Sequence, residues 1–415
     1  MMEWLQVEQQ LAAQLPAAVG DARRILLIVP DATRTAPVSA IVPRILHVLA
    51  GAGRQVDIII ASGTHQPMPD AARWSHVGLE RTEAARQYPG LRVMNHEWNN
   101  PAGLATFGEI PAARVGELTG GLLTERVTLT LNRVVAEYDL LLILGPVFPH
   151  ELVGFSGGSK YLFPGISGME TIDLVHWIGA LRGNLNTIGV VDTPIRRVLE
   201  EGLRRLPFRA AAIKMVVHQG ALAGLFIGGV TEAWRQAAAC ASRLHVQRLP
   251  RPYRQVLACC PPMYPDLWTG GKCMYKCEGA VADGGELIIY APHVKSFSET
   301  HAATIERVGY HLRDYYLAHW ERYRGESRAV LAYCIVMKGA GVYANGVETP
   351  RIRVRVASQI PEAKCRAVGL DYADPATIDV PAWKARGDVL VVEKAGEMLY
   401  LADGILSNER REEKS

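Results

Sequence analysis

Three short apolar runs constrain this chain most: Ile25–Pro30 (ILLIVP), Val56–Ala61 (VDIIIA) and Leu140–Leu144 (LLLIL). A continuous apolar run of this length marks a strand covered on both faces. Helical spacing over Pro37–Ala50 separates the first two, and Asn132–Tyr138 leads into the third. Strand, helix and strand again imply a parallel sheet with helices on its faces. In such sheets ligands collect beyond the carboxyl ends of the strands. Polar segments follow each run: Asp31–Arg34, Ser62–His65 and His150–Lys160. Three polar groups are therefore expected along one sheet edge.

A length of 415 residues exceeds what one hydrophobic core usually supports. The expected fold class is α/β, with two α/β domains, mainly parallel sheets and an active-site cleft between them. Gly168–Leu181 reads as a helix, and α/β pattern continues to about Arg243. The segment Leu249–Gln255 (LPRPYRQ) reads as a linker. The domains are accordingly expected at residues 1–248 and 249–415, the final strand and tail returning to the first. In the second block, Val256–Cys260 and Glu286–Tyr290 read as strands, the latter after a turn at Asp283–Gly285. Lys272–Val281 and Thr304–Arg322 read as helical, and Ala329–Val336 and Asp388–Val392 as strands. The charged tail NERREEKS is expected to fray.

Composition removes several function classes. A formal charge of +3 on a chain this long gives no support for a nucleic-acid surface. The apolar runs are too short to cross a bilayer, and the N-terminal MMEWLQVEQQ lacks the pattern of a secretion signal. A cytoplasmic protein without membrane contact is expected. Seven scattered cysteines with no CxxC pair do not suggest a disulfide framework, and reduced buried thiols are expected over a thiolate metal site.

The densest chemistry lies in Pro149–Gly165 (PHELVGFSGGSKYLFPG). A glycine-rich turn lets backbone N–H groups approach an anionic ligand, which makes Ser156, Gly157 and Gly158 candidates for close contact. Lys160 at its end can pair with a phosphate or act as a nucleophile. The turn is not a Walker loop, because Ser159 precedes the lysine and Tyr161 follows it. His150 and His176 can move protons or bind a metal. His176, among Leu174, Val175, Trp177 and Ile178, reads equally as a buried structural histidine. Arg34 suits a carboxylate and Asp31 can orient it, although Thr35 and Pro37 also fit a plain helix entry. His65 is aimed at the sheet edge, or else caps a turn; His96 reads as structural. Lys272 and Lys276 lie one helical turn apart after a glycine pair. His293, His301 and His311 either line a pocket with Asp314 and Tyr315 or are surface groups.

These motifs together resemble the nickel-pincer lactate racemase family of 2-hydroxy acid racemases and epimerases. The resemblance rests on Asp31-x-x-Arg34, SGTHQPM around His65, the stretch from Asn132 through Gly145, and PHELVGFSGGSKYLFPGISG running on to His176. It extends to Lys272 and the Gly284-Gly285 turn, and so covers most of the chain. It implies an isomerase that works on a 2-hydroxy carboxylic acid by proton-coupled hydride transfer through a transient 2-keto acid.

The implied cofactor is the nickel-pincer nucleotide, a pyridinium-3-thioamide-5-thiocarboxylate mononucleotide carrying nickel, attached covalently at Lys160. By the same resemblance His176 is the metal ligand, His65 and His150 are the catalytic acid/base pair, and Arg34 and Lys272 hold the substrate carboxylate. Asp31, Ser156, Gly157 and Gly158 are assigned to the cofactor side. The implied partners are the small-molecule acid and the enzymes that make the cofactor. The chain departs from lactate-type members at Thr269, where they carry glutamine, and at Gly270-Gly271. Those smaller residues hint at a longer, more hydroxylated acid, and Lys276 competes with Lys272 as clamp. Two other classes fit the same residues: a nickel-independent phosphate-ligand isomerase or lyase, and a non-catalytic protein that binds the cofactor or a hydroxy acid.

Overall fold

The first apolar run folds as β1 (Arg24–Pro30), whose residues after Arg24 are all buried. In this computed structural model, which describes residues 1–33 and 35–405, β1 sits inside a six-stranded sheet. The other strands are β2 (Gln55–Ala61), β3 (Val93–Asn95), β4 (Leu140–Pro146), β5 (Arg209–His218) and β6 (Ala221–Gly229), in the order β6-β5-β4-β1-β2-β3. Ile28 of β1 lies in parallel register with Ile59 of β2 and Ile143 of β4. Only β6 runs antiparallel, joined to β5 as a hairpin. The helices Trp4–Val19 and Val38–Gly51 cover one face, burying Val7, Leu11, Leu15, Ile41, Ile45 and Leu49. β1 is flanked by β2 and β4, so the chain leaves the central strand towards both sides. A crevice at the carboxyl ends is the outcome such a switch favours.

The opposite edge of this sheet carries stability. Asp57, fully buried near the start of β2, accepts hydrogen bonds from Arg92 Nε (2.9 Å) and the Tyr138 hydroxyl (2.7 Å). Burial and the Asp57 carboxylate push the Tyr138 phenol well above its usual range.

The second sheet has five parallel strands in the order Asp371–Tyr372, Arg353–Ser358, Val281–Ala291, Tyr253–Cys259 and Leu390–Val392. The chain is thus α/β with mainly parallel sheets, as expected. It divides into two compact units, but not at the single cut expected at 248/249. Unit one comprises Met1–Phe148, Phe155–Val175 and Pro194–Leu244; unit two takes Pro149–Gly154, His176–Thr193 and the chain from His245 onward. Sequence order hid this, because two short excursions pack away from the segments that flank them. The last strand, Leu399–Ala402, does not return to the first unit. It pairs in parallel with Val246–Leu249 inside the second.

Local expectations fail where apolar runs are ambiguous. Residues 329–336, expected as a strand, belong to the helix Arg328–Lys338. The Ser327 hydroxyl caps it by accepting from Val330 N–H, Gly339 (φ 83°) ends it, and every residue from Ala329 to Met337 is buried. A helix buried all round has the same apolar run as a buried strand, and only the caps distinguish them. The turn expected at Asp283–Gly285 is instead an irregularity within the continuous strand Val281–Ala291. The helical pattern over Thr304–Arg322 breaks into Ala302–Val308, Arg313–Ala318 and Trp320–Tyr323. The expected linker is mostly absorbed into the strands on either side of it. The tail NERREEKS lies outside the described residues. No helix among the described residues is long and apolar enough to cross a membrane.

Candidate active site

Asp31 follows β1 directly and is 6% exposed. Its Oδ1 accepts from the Thr33 backbone N–H (3.2 Å) and hydroxyl (2.7 Å), which closes a tight local turn. Its Oδ2 lies 2.5 Å from Nδ1 of His65, which follows β2. The carboxylate is expected to serve Arg34 or the cofactor, and Arg34 lies outside the described residues; among the described residues the carboxylate also meets the histidine. Adjacent parallel strands bring the two residues together across 34 positions of sequence. A carboxylate on Nδ1 fixes the proton there and leaves Nε2 as the nitrogen that takes or gives a proton. The backbone N–H of His65 also closes a turn on the Ser62 carbonyl (3.0 Å).

His150 repeats the pattern in the second unit. Its Nδ1 lies 3.1 Å from Oε2 of Glu151 and 3.3 Å from the Leu152 backbone N–H. The two contacts demand opposite states of Nδ1: a donor towards Glu151, an acceptor from Leu152. The imidazole can therefore exchange one tautomer for the other without moving. Glu151 was missed as a functional residue, although its position beside the histidine was visible.

The loop carrying Lys160 is built from the inside. Ser156 ties its neck: the Phe148 N–H donates to Ser156 Oγ (2.9 Å), Ser156 N–H donates to the Phe148 carbonyl (2.8 Å), and Trp234 Nε1 donates to the Ser156 carbonyl (2.8 Å). Gly157 (φ 80°) and Gly158 (φ 64°) follow in backbone conformations that disfavour other residues. A Cβ on Gly157 would lie 2.9 Å from Val147 Cγ2, and one on Gly158 3.0 Å from the Trp234 ring. Arg196, 2% exposed, donates to the Gly157 carbonyl (3.1 Å) and to the Phe155 carbonyl. Lys160 sits half-buried on the short 3₁₀ helix Gly158–Tyr161. Two bonds link this region to the strand ends: Gly63 N–H to the Gly165 carbonyl (3.1 Å), and His96 Nε2 to the Ser167 carbonyl (2.9 Å). His96 is fully buried, and burial pushes its imidazole down to about 4, so it is a neutral structural group.

His176 is half-buried on the helix Met169–Arg182 and belongs with the second unit. There too, Lys272 is half-buried with its Nζ 4.4 Å from the centre of the Tyr264 ring. Lys276 is 4% exposed and donates to the Glu397 carbonyl at 2.8 Å. Thr269, at the position of the family glutamine, is held by Asp266 Oδ1 (2.7 Å). His293, His301 and His311 have separate surroundings: the Tyr264 carbonyl, the Trp268 ring, and Glu348 with the Tyr315 ring. All cysteines but Cys259 are buried, and burial pushes the Cys277 thiol up to about 12, the state of a packed thiol rather than a metal-ready thiolate. Arg34 lies outside the described residues.

A doubly wound sheet with a carboxylate-oriented histidine and a lysine-bearing loop at its carboxyl edge defines an α/β ligand-handling domain. Residues 7–188 match the lactate racemase N-terminal domain. The chain is 23% identical over 274 residues to the lactate racemase of Thermoanaerobacterium thermosaccharolyticum, spanning 65% of this chain and 60% of that protein. It is 28% identical over 154 residues to the lactate racemase of Lactiplantibacillus plantarum, 37% of this chain and 32% of that one. The chain thus aligns with less than two thirds of the length of either curated relative. A solved Thermotoga maritima protein covers 97% of this chain and 99% of its own at 31% identity, with a TM-score of 0.87. The lactate racemase apoprotein of T. thermosaccharolyticum shares the fold at 18% identity, with a TM-score of 0.72, covering 93% and 88%. The N-terminal part of the chain, residues 7–188, is thus a lactate racemase N-terminal domain.

Proposed function

We propose that this protein is a racemase or epimerase of a 2-hydroxy carboxylic acid that uses the nickel-pincer nucleotide. The observation that carries the reading is the Asp31–His65 pair at the sheet edge, in the unit that also holds the Lys160 loop. The residues fit the cofactor. Lys160 stands on a loop whose glycines leave no room for side chains, and two buried polar atoms nearby, Ser159 Oγ and Lys214 Nζ, lack partners among the described residues. Lys160 would hold the nucleotide through its amine, and His176 would supply a nitrogen ligand to nickel. When bound, the cofactor would supply an acceptor for hydride and also the hydride whose return to the opposite face of a 2-keto acid inverts the centre.

The protein's own groups do the rest. An α-hydrogen beside a carboxylate is poorly acidic, so its loss as hydride, with the hydroxyl proton going to a base, is the easier path. His65 Nε2, oriented through Asp31, takes that proton in one direction; His150, poised between Glu151 and Leu152, serves the other. Lys272 and Arg34 hold the carboxylate throughout, which keeps the keto acid from leaving. Lys276 is the weaker candidate for that clamp, because it is buried and its amine donates to the Glu397 carbonyl.

The test is co-expression with cofactor-making enzymes and nickel, followed by chiral analysis of a panel of 2-hydroxy acids and mass spectrometry of the Lys160 peptide. Inversion of at least one acid together with an adduct at Lys160 is expected. A loaded protein that inverts none of them ends the proposal. Isomerisation of a sugar phosphate without nickel would favour the phosphate-ligand reading.

A further inference from the structure

Lys214 is the least explained charged residue in the molecule. It lies on β5 with no exposed surface, on the sheet face opposite the one that carries Ile213 and Met215. Its register partner on β4 is Gly145, and a Cβ there would strike the Tyr161 ring at 2.3 Å. The Tyr161 ring therefore rests on the glycine, and Lys214 Nζ lies 4.9 Å from its centre. Tyr161 is the residue after Lys160; it is half-exposed, and its ring touches the buried amine directly.

No hydrogen bond in the described structure satisfies this amine. Lys214 Nζ has no hydrogen-bond partner, and neither does the hydroxyl of Ser159, 2% exposed, on the same short 3₁₀ helix. Arg196, which holds the loop carbonyls, carries a charge of the same sign and disfavours the ammonium form. Burial and this repulsion push the Lys214 amine well below its ordinary range. A methionine would fill the volume without desolvating an amine, so packing does not account for a lysine here. A buried amine, a guanidinium and an orphaned hydroxyl under a glycine loop share one need, an anion with several acceptor oxygens.

We propose that Lys214 and Ser159, backed by Arg196, form a subsite for the phosphate monoester of a mononucleotide held at the Lys160 loop. The assignment rests on the cofactor reading above and adds the residues that receive the cofactor's anionic end. Turning the Tyr161 ring aside opens the way to the amine. The phosphate oxygens then accept from Lys214 Nζ and Ser159 Oγ, and the retained proton on Lys214 is stabilised by the charge it meets.

The test uses the full-length apoprotein and three probes at constant ionic strength: inorganic phosphate, nicotinate mononucleotide and nicotinate riboside. Calorimetry is expected to show the mononucleotide binding more tightly than the riboside. Lys214→Met should weaken mononucleotide binding about tenfold or more and leave the riboside unchanged, as loss of a charge-assisted hydrogen bond predicts. Ser159→Ala should weaken it about threefold, and carries the test if Lys214→Met fails to fold. The exposed Lys364→Met is the control and should change nothing. Binding of the mononucleotide no tighter than the riboside overturns the subsite. So does wild-type affinity in Lys214→Met, or in Ser159→Ala if only that variant folds. Phosphate-selective binding without an adduct at Lys160 or racemisation keeps the subsite and removes the reaction; racemisation with undiminished mononucleotide binding by the variants does the reverse.

Discussion

Oδ2 of Asp31 lies 2.5 Å from Nδ1 of His65, and the two residues leave neighbouring parallel strands at the same sheet edge. Asp31→Asn keeps the shape but removes the charge that holds the proton on Nδ1. Turnover of the loaded enzyme should fall by about 10²–10⁴-fold, mainly in kcat, with the melting temperature nearly unchanged. His65→Ala should abolish turnover. Racemisation at the wild-type rate by either variant would remove the pair from the mechanism.

Glu151 and the Leu152 N–H compete for one nitrogen of His150. Glu151→Gln removes the acceptor that favours a proton on Nδ1, so the Leu152 contact should prevail. We expect turnover to fall about tenfold or more. The ratio of kcat/KM for the two stereoisomers must stay constant, because the overall equilibrium does not depend on the enzyme. A variant as fast as wild type would show that His150 needs no carboxylate.

Lys272 and Lys276 separate by readout. Lys272→Met should raise KM about 10- to 100-fold, the cost of one charge-assisted contact to the substrate carboxylate. Lys276→Met should instead lower stability by about 1–3 kcal/mol, since the half-buried Glu397 carbonyl loses its donor. Steady-state kinetics and urea unfolding on both variants decide between them, and the opposite pattern would make Lys276 the clamp.

His96 predicts a pH dependence of stability. Burial lowers its folded value to about 4, against about 6.5 unfolded. Its contribution is fully present above pH 6.5. Below that the unfolded chain binds the proton first, and stability should be lost progressively down to pH 4, by up to about 3 kcal/mol. Urea titrations across this window should show the slope in the wild type and a shallower one in His96→Gln. Equal slopes would mean that His96 is not held neutral.

The elements that were legible in the chain are those where one periodicity had one meaning. The runs at 25–30, 56–61 and 140–144 are strands, and the helix holding His176 lies within a residue of its expected ends. The run at 329–336 was not legible as a helix, because full burial erases the amphipathic stripe and only Ser327 and Gly339 mark the ends. Within the site, the positions of His65 and Lys160 on the carboxyl edge were readable from strand ends. The meeting of Asp31 with His65 was not, since the two residues are 34 positions apart and only the strand pairing brings them together. Lys214 was visible as a charge inside AAAIKMVV, yet its meaning depends on what lies over it.

By itself the sequence determined the α/β class, the sheet edge on which the polar segments emerge, and the likeness to lactate racemases. Each of these is set by local hydrophobic period or by contiguous motif, and both act over short stretches of chain. Tertiary structure alone decided that Asp31 serves His65, that Lys276 is buried while Lys272 is not, and that residues 149–154 and 176–193 pack with the second unit. Those outcomes follow from which distant segments exclude water together, and burial of that kind is a property of the packed chain rather than of any stretch within it.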